Sequence, residues 1–213
     1  MNPRIVILGG GGHARVLADC LLEQDAMVIG YSAPGDEGEL LPGIPYLGPD
    51  SCLREFPANE LRLVNGVGSV GHNSLRRGLF ERYSALGFRF LAVRHPAAVV
   101  SKRLSQGAGC QFLPGATVNS GTRLGDNVIV NSRALVEHDC KVGDHVHIAS
   151  GAVLCGGCRV GENVHIGAGS VVIQGIEIGN GAIIAAGAVV IENVKPLTLV
   201  AGVPAEIKRN LAN

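Results

Sequence analysis

From Phe112 onward the chain repeats with a period of six. Every sixth residue gives Phe112, Val118, Leu124, Val130, Val136, Val142, Ile148, Leu154, Val160, Ile166, Val172, Ile178, Ile184 and Val190, all apolar. Four residues after each runs a second series, from Ala116 and Thr122 through Cys140, Val146 and Cys158 to Ala188 and Val194. All its members are small or β-branched. No insertion interrupts either series. This period predicts a parallel β-helix of about four to five turns from roughly Phe112 to Val194. The aliphatic points inward and the small residue fills the slot at a tight corner. Gly125, Gly143, Gly161, Gly167 and Gly179 follow inward aliphatics, where turns are expected to need permissive backbone.

The first half has a different rhythm. "RIVIL" reads as a short buried strand, followed by "GGGGHA" and a helix over "ARVLADCLLEQ", with Val16, Leu17, Cys20 and Leu21 at helical spacing. "MVIGY" and "LRLVNGVG" read as strands, "NSLRRGLFERYSALG" as a helix and "FRFLAV" as a last strand. Strands alternating with helices predict a small parallel α/β, Rossmann-like domain over 1–95 and the coil domain over 96–213, with Pro96 as the break.

Composition narrows the function classes. Lys+Arg and Asp+Glu are 18 each, so no charge excess points to nucleic acid or a membrane surface. Apolar residues make up 46%, enough for a sizeable core, and no stretch approaches the ~20 apolar residues of a spanning helix. The run Ile5–Leu8 is too short for a signal-peptide core. The expectation is a cytoplasmic protein with no membrane insertion, whose six Cys are thiols.

The chemistry concentrates in "LVEHDCKVGDHVHIASGA", Leu135–Ala152. Three hexads make one turn, so residues eighteen apart stack, about 4.8 Å apart. Side chains alternate along a strand. With Val146 and Ile148 inward, His145 and His147 are expected outward on the surface. His165 lies one turn beyond His147, and His138 lies at a corner beside two acids. "CGGC", Cys155–Cys158, is a lone CxxC. Cys158 and Cys140 share an inward slot one turn apart, so they read as buried thiols, and zinc would need further ligands. In the first half "GGGGHA" fits G-x-G-x-x-A with Gly9, Gly11 and Ala14, where backbone and a helix N-terminus suit a phosphate. The acid that a dinucleotide site wants after the second strand is replaced by Ser32.

Together "GGGGHARVL", "GVGSVGHNSLRR", "RHPAAVVS", "VEHD" and "AGVPA" resemble the sialic-acid O-acetyltransferase-like family of hexapeptide-repeat acyltransferases, close to bacterial nucleotide-amino-sugar N-acetyltransferases. The resemblance spans nearly the whole chain. It implies a left-handed coil, a homotrimer, and acetyl-CoA as co-substrate with a nucleotide-linked amino sugar as acceptor, in surface-polysaccharide synthesis. His138 takes the place of the family's general base, Asp139 supports it, and His147 falls where a histidine contacts the thioester region. Acetyl-CoA contacts map onto Gly156, Ala168 and Ala186. Acceptor contacts map onto Gly11, Gly12 and His13, with Gly71, Asn73 and Arg76 as further candidates. Ala33 and Pro34 depart from the family's adjacent aspartates, His72 replaces the acid of its "GDN", and Glu206 replaces a basic residue whose phosphate contact Lys208 or Arg209 would take.

Three other readings remain at this level. One is acetyl transfer to a sugar hydroxyl. Another is a gamma-carbonic-anhydrase-like zinc enzyme using His147 and His165, although the expectation is that no metal is bound. The third is a non-catalytic β-helix scaffold. Release of free CoA separates enzyme from scaffold, and metal analysis separates the zinc reading.

Overall fold

A computed structural model describes residues 3–71 and 73–212. The chain forms two compact units, Met1–Ser69 with Asn73–Pro96, and Val70–His72 with Ala97–Asn213.

The first unit is a parallel sheet of β1 (Arg4–Leu8), β2 (Val28–Ser32), β3 (Tyr46–Gly48), β4 (Leu61–Asn65) and β5 (Arg89–Phe90), in the order β3-β2-β1-β4-β5. Helix α1 (Gly12–Leu22) follows β1 and α2 (Ser74–Ala85) follows β4. The apolar run of β1 is buried because parallel strands are covered on both faces. One core gathers Val6, Leu8, Leu61, Leu63, Phe80, Tyr83 and Phe90. The face that α1 buries carries Ala14, Leu17, Ala18 and Leu21, whereas Val16, expected on it, is exposed. Strand β3 had no sequence signal, since "YLG" is three residues between Pro45 and Pro49. The expected strand "FRFLAV" divides into Arg89–Phe90 and Val93–Arg94.

The second unit is a left-handed parallel β-helix of two-residue strands. Its register is eighteen throughout: Thr117 pairs with Leu135, Arg123 with Lys141, His147 with His165. All fourteen residues of the first six-period series are buried, and so are all fourteen of the second. The outward residues give each face its character. One face is aliphatic, with Leu135, Val153, Val171 and Val189 half-buried. The next is charged, with Arg123, Lys141, Arg159 and Glu177 exposed. The third carries Ile129, His147, His165 and Ile183.

The coil begins earlier than the expected Phe112, at Val99–Val100 and Ser105–Gln106. The pattern conceals this because Gln106 occupies an inward-series position and is exposed. Left-handed backbone also lies elsewhere than expected. It recurs every six residues from Gly109 to Gly187 and includes Asn127, Arg133, Asp139, His145 and Asn163. Gly125, Gly143, Gly161 and Gly167 are not among these positions. They are glycine because successive turns approach closely. A Cβ on Gly125 would sit 2.8 Å from Asp144 N, and one on Gly167 2.5 Å from Ala186 N.

Candidate active site

The corner after the strand Leu135–Val136 carries His138 and Asp139. Imidazole Nδ1 and carboxylate Oδ2 are 2.9 Å apart, with both side chains well exposed, at 63% and 72%. Asp139 adopts φ +59, a conformation that Asp tolerates better than most residues. Donation from Nδ1–H to the carboxylate leaves Nε2 as the acceptor atom. At this exposure the hydrogen bond adds little energy, and what it fixes is tautomer and ring direction.

The ring has been given room. One turn on, Gly156 lies so close that a Cβ there would fall 2.7 Å from His138 Nε2. One turn back, a Cβ on Gly121 would collide with the Asp139 carboxylate. The backbone under the ring is pinned, since Gly157 N–H donates to His138 O at 2.9 Å and Asp139 N–H to Ser120 O at 3.1 Å. Gly121 escaped the sequence reading, although its place eighteen before Asp139 was available to it.

His145 and His147 are corrections. Both were expected on the surface, and both are 7% exposed. His145 sits in a left-handed corner with Nδ1 3.0 Å from the amide of buried Asn127, which makes it a packing element. His147 Nε2 lies 3.0 Å from Asn131 Nδ2, and Ser132 N–H donates to Asn131 Oδ1 at 2.7 Å. That second bond orients the amide, so its NH₂ donates to His147. In this arrangement His147 Nε2 is the acceptor. Asn131 was not legible in the sequence because it is sixteen residues away, off the stacking period. His165 stands edge-on to His147, with centroids 5.1 Å apart, and burial pushes its imidazole below the usual range. Among the described residues, no three His, Cys, Asp or Glu are grouped to hold a metal ion.

Ala168 and Ala186 are exposed and stack at a different corner from His138, with Gly187 N–H donating to Ala168 O at 2.9 Å. Asn131 and Ser132 belong to that same corner column. One chain thus places His138, Asp139 and Gly156 at one edge of the aliphatic face and Ala168, Ala186 and Asn131 at its other edge. The coil's large concavity, about 920 Å³, lies on the charged face between Arg123, Lys141, Arg159 and Lys195, and none of the expected site residues lines it.

In the first unit Gly9 has φ +99 and its N–H donates to Ser32 O at 2.7 Å. Gly11 caps α1, and a Cβ on Gly11 or Gly12 would meet nothing within 4 Å. The loop is open where a ligand backbone contact was expected. His13 is partly buried beside Gly68. Gly71, which groups with the second unit, has φ +72, and Asn73 of the first caps α2, its carbonyl accepting Arg77 N–H at 2.8 Å. His72 lies outside the described residues. Arg76 is a further correction. It was a candidate acceptor contact, but it is 2% exposed, and Nη1 donates to Asn65 O and Val67 O at 2.8 Å each. It holds the segment after β4 in place.

Comparison with known proteins accords with this architecture. The PglD N-terminal domain matches residues 4–83, and the bacterial transferase hexapeptide (six repeats) matches 121–156 and 157–192. The acetyltransferase domain of PglB from Neisseria gonorrhoeae FA1090, solved with acetyl coenzyme A, is 33% identical with a TM-score of 0.89, covering 98% of this chain and 100% of that one. A mutant of perosamine N-acetyltransferase from Caulobacter crescentus, solved with CoA and GDP-perosamine, is 36% identical over 96% of each chain, TM-score 0.88. WeeI from Acinetobacter baumannii AYE is 25% identical, TM-score 0.86, covering 97% of this chain and 100% of that one.

Proposed function

Since the chain belongs to the hexapeptide-repeat sugar acetyltransferases that carry a PglD N-terminal domain, we propose that it moves acetyl from acetyl-CoA to the amine of a nucleotide-linked amino sugar. The observation that carries this reading is the His138–Asp139 pair seated against Gly156. The sugar amine attacks the thioester carbonyl carbon. As the N–C bond forms, His138 Nε2 takes the amine proton, and the C–S bond then breaks. The imidazolium returns that proton to the departing thiolate. Asp139 holds Nδ1–H throughout. A base placed in this way contributes about 10²–10⁴-fold.

The co-substrate fits the exposed corner of Ala168 and Ala186, which offers backbone groups and no side chain beyond Cβ to a pantetheine arm. The half-buried strip Leu135, Val153, Val171 and Val189 supports a homotrimer. Packing copies along it brings the His138 edge of one to the Ala168 edge of the next, with Asn131 and His147 beside the thioester. Gly11, Gly12 and His13 take the acceptor's phosphates, where a helix N-terminus favours anions. The enzyme works in the cytoplasm on the way to a surface polysaccharide, a placement supported by its six free thiols. No helix among the described residues is long and apolar enough to cross a membrane.

The test is His138→Asn, purified with its oligomeric state checked by sedimentation. Release of free CoA from acetyl-CoA and a GDP- or UDP-linked amino sugar should fall at least ~10²-fold in kcat. Near wild-type kcat in an assembled variant would remove His138 from the role of base.

A further inference from the structure

The sequence has no acid at the end of β2, where a nucleotide-binding sheet of this type usually places the carboxylate that holds a ribose. The structure supplies one from the neighbouring strand. Ser32, fully buried at the end of β2, donates its hydroxyl proton to Asp50 Oδ1 at 2.9 Å. Asp50 follows β3, which pairs with β2 through Ser32 and Gly48. The carboxylate is not spent on local structure. The 3-10 helix Asp50–Glu55 has Pro49 as its N-cap and no side-chain cap bond. The Asp50 backbone is held in place, because Tyr83 hydroxyl donates to its carbonyl at 2.8 Å. Among the described residues Oδ2 has no hydrogen-bond or ion-pair partner, and Asp50 is half-exposed.

Its position relative to the glycine loop is the second part of the argument. Gly9 N–H is bonded to Ser32 O, so the loop and Ser32 are adjacent at the same end of the sheet. Asp50 lies one strand further, about 10 Å from the loop by strand spacing. In a nucleotide whose diphosphate rests on the helix N-terminus, the ribose falls on this side of the loop. We infer that Asp50 is the residue that recognises the acceptor's nucleoside, its free carboxylate oxygen accepting hydrogen bonds from the ribose 2′- and 3′-hydroxyls. The acceptor is then carried on a ribonucleotide and not on a deoxyribonucleotide. This rests on the reading of the first unit as the acceptor site.

The probes are GDP and UDP with their 2′-deoxy counterparts, titrated calorimetrically into the wild-type protein, Asp50→Ala, Asp50→Asn and Gly11→Val. Wild type should bind the ribo forms about tenfold more tightly than the deoxy forms, the value of one hydrogen bond to a charged group. Asp50→Ala should bring that ratio to about one, weakening the deoxy forms less than the ribo forms because the deoxy forms keep only the 3′-hydroxyl contact. Asp50→Asn keeps an oxygen for Ser32, guards against a folding defect, and should give an intermediate ratio. Gly11→Val should weaken all four probes alike. A wild-type ratio of one, or a ratio that survives in Asp50→Ala, overturns the role of Asp50 alone. Absence of binding by all four probes overturns the acceptor reading with it.

Discussion

In the coil, every residue has counterparts eighteen positions away in nearly the same surroundings, and in the sheet unit no residue has a counterpart at all. The coil therefore supplies its own controls. Corners along the coil hold Gly, Ala, Ser or Asn at many positions, and against that background His138 over Gly156 stands out as a departure that packing does not require. The sheet unit offers no such background. Its chemistry is assembled from the ends of different strands, as Gly9, Ser32 and Asp50 are, and chain distance says nothing of their proximity. A repeat makes a functional residue conspicuous, whereas a doubly wound sheet makes it visible only after folding.

The contrast breaks first if inward positions of the coil are not equivalent. Ile148→Asp buries a carboxylate between stacked Val130 and Ile166, all fully enclosed. An unpaired buried charge costs several kcal/mol, comparable with the whole stability of a domain. The expected outcome is no soluble folded protein. Val130→Asp and Ile166→Asp should behave alike, and a folded, assembled product from any of the three would defeat the equivalence.

In the sheet unit, the corresponding large effect is confined to one residue. Arg76→Ala removes the hydrogen bonds to the buried carbonyl of Asn65 and the part-buried carbonyl of Val67. A loss of roughly 2–4 kcal/mol is expected by chemical denaturation. At a temperature where the variant stays folded, the KM for the acceptor should barely change. A selective rise in that KM at wild-type stability would return Arg76 to the ligand site.

Next come two adjacent glycines with different reasons. Gly157 has φ +70 with open space around it, so Gly157→Ala should cost about 1–2 kcal/mol of stability and leave kcat near wild type. Gly156 is not left-handed but touches His138. Gly156→Ala should therefore leave stability almost unchanged and lower kcat roughly tenfold by displacing the imidazole. Denaturation midpoints and CoA release, measured on both variants, give four numbers. Equal behaviour of the two would show that Gly156 is only a turn glycine.

These glycines also mark how far the sequence could be read. The coil, its inward series and the place of His138 were legible because a six-residue period encodes them directly. What the period hides is anything depending on which neighbour comes close. It does not distinguish glycines needed for φ from those needed for approach, which is why Gly125 and Gly143 were assigned the wrong reason. It gave direction for His145 and His147 but not burial, because alternation says which way a side chain points and not what covers it. In the sheet unit, "GGGGHA" announced a loop, yet Asp50 beside Ser32 and the inward turn of Arg76 depend on tertiary contacts with no local signature.

The smallest expected effect tests the histidine face. His165 is held below the ordinary imidazole pKa by burial. The unfolded chain therefore binds a proton at His165 more readily than the folded one. The stabilisation is present above the unfolded imidazole pKa, near 6.5, and is lost as pH falls from there through the lower folded value. The variant His165→Phe keeps a ring edge-on to His147 and removes the titration. Urea midpoints at pH 8.0 and pH 5.5 should fall less for the variant than for the wild type. Comparing the two proteins cancels every contribution they share. The sign is the decisive feature. A variant that loses more stability on acidification than the wild type would mean that His165 gains a partner for its charged form on folding, and burial as the cause of its lowered pKa would have to be abandoned.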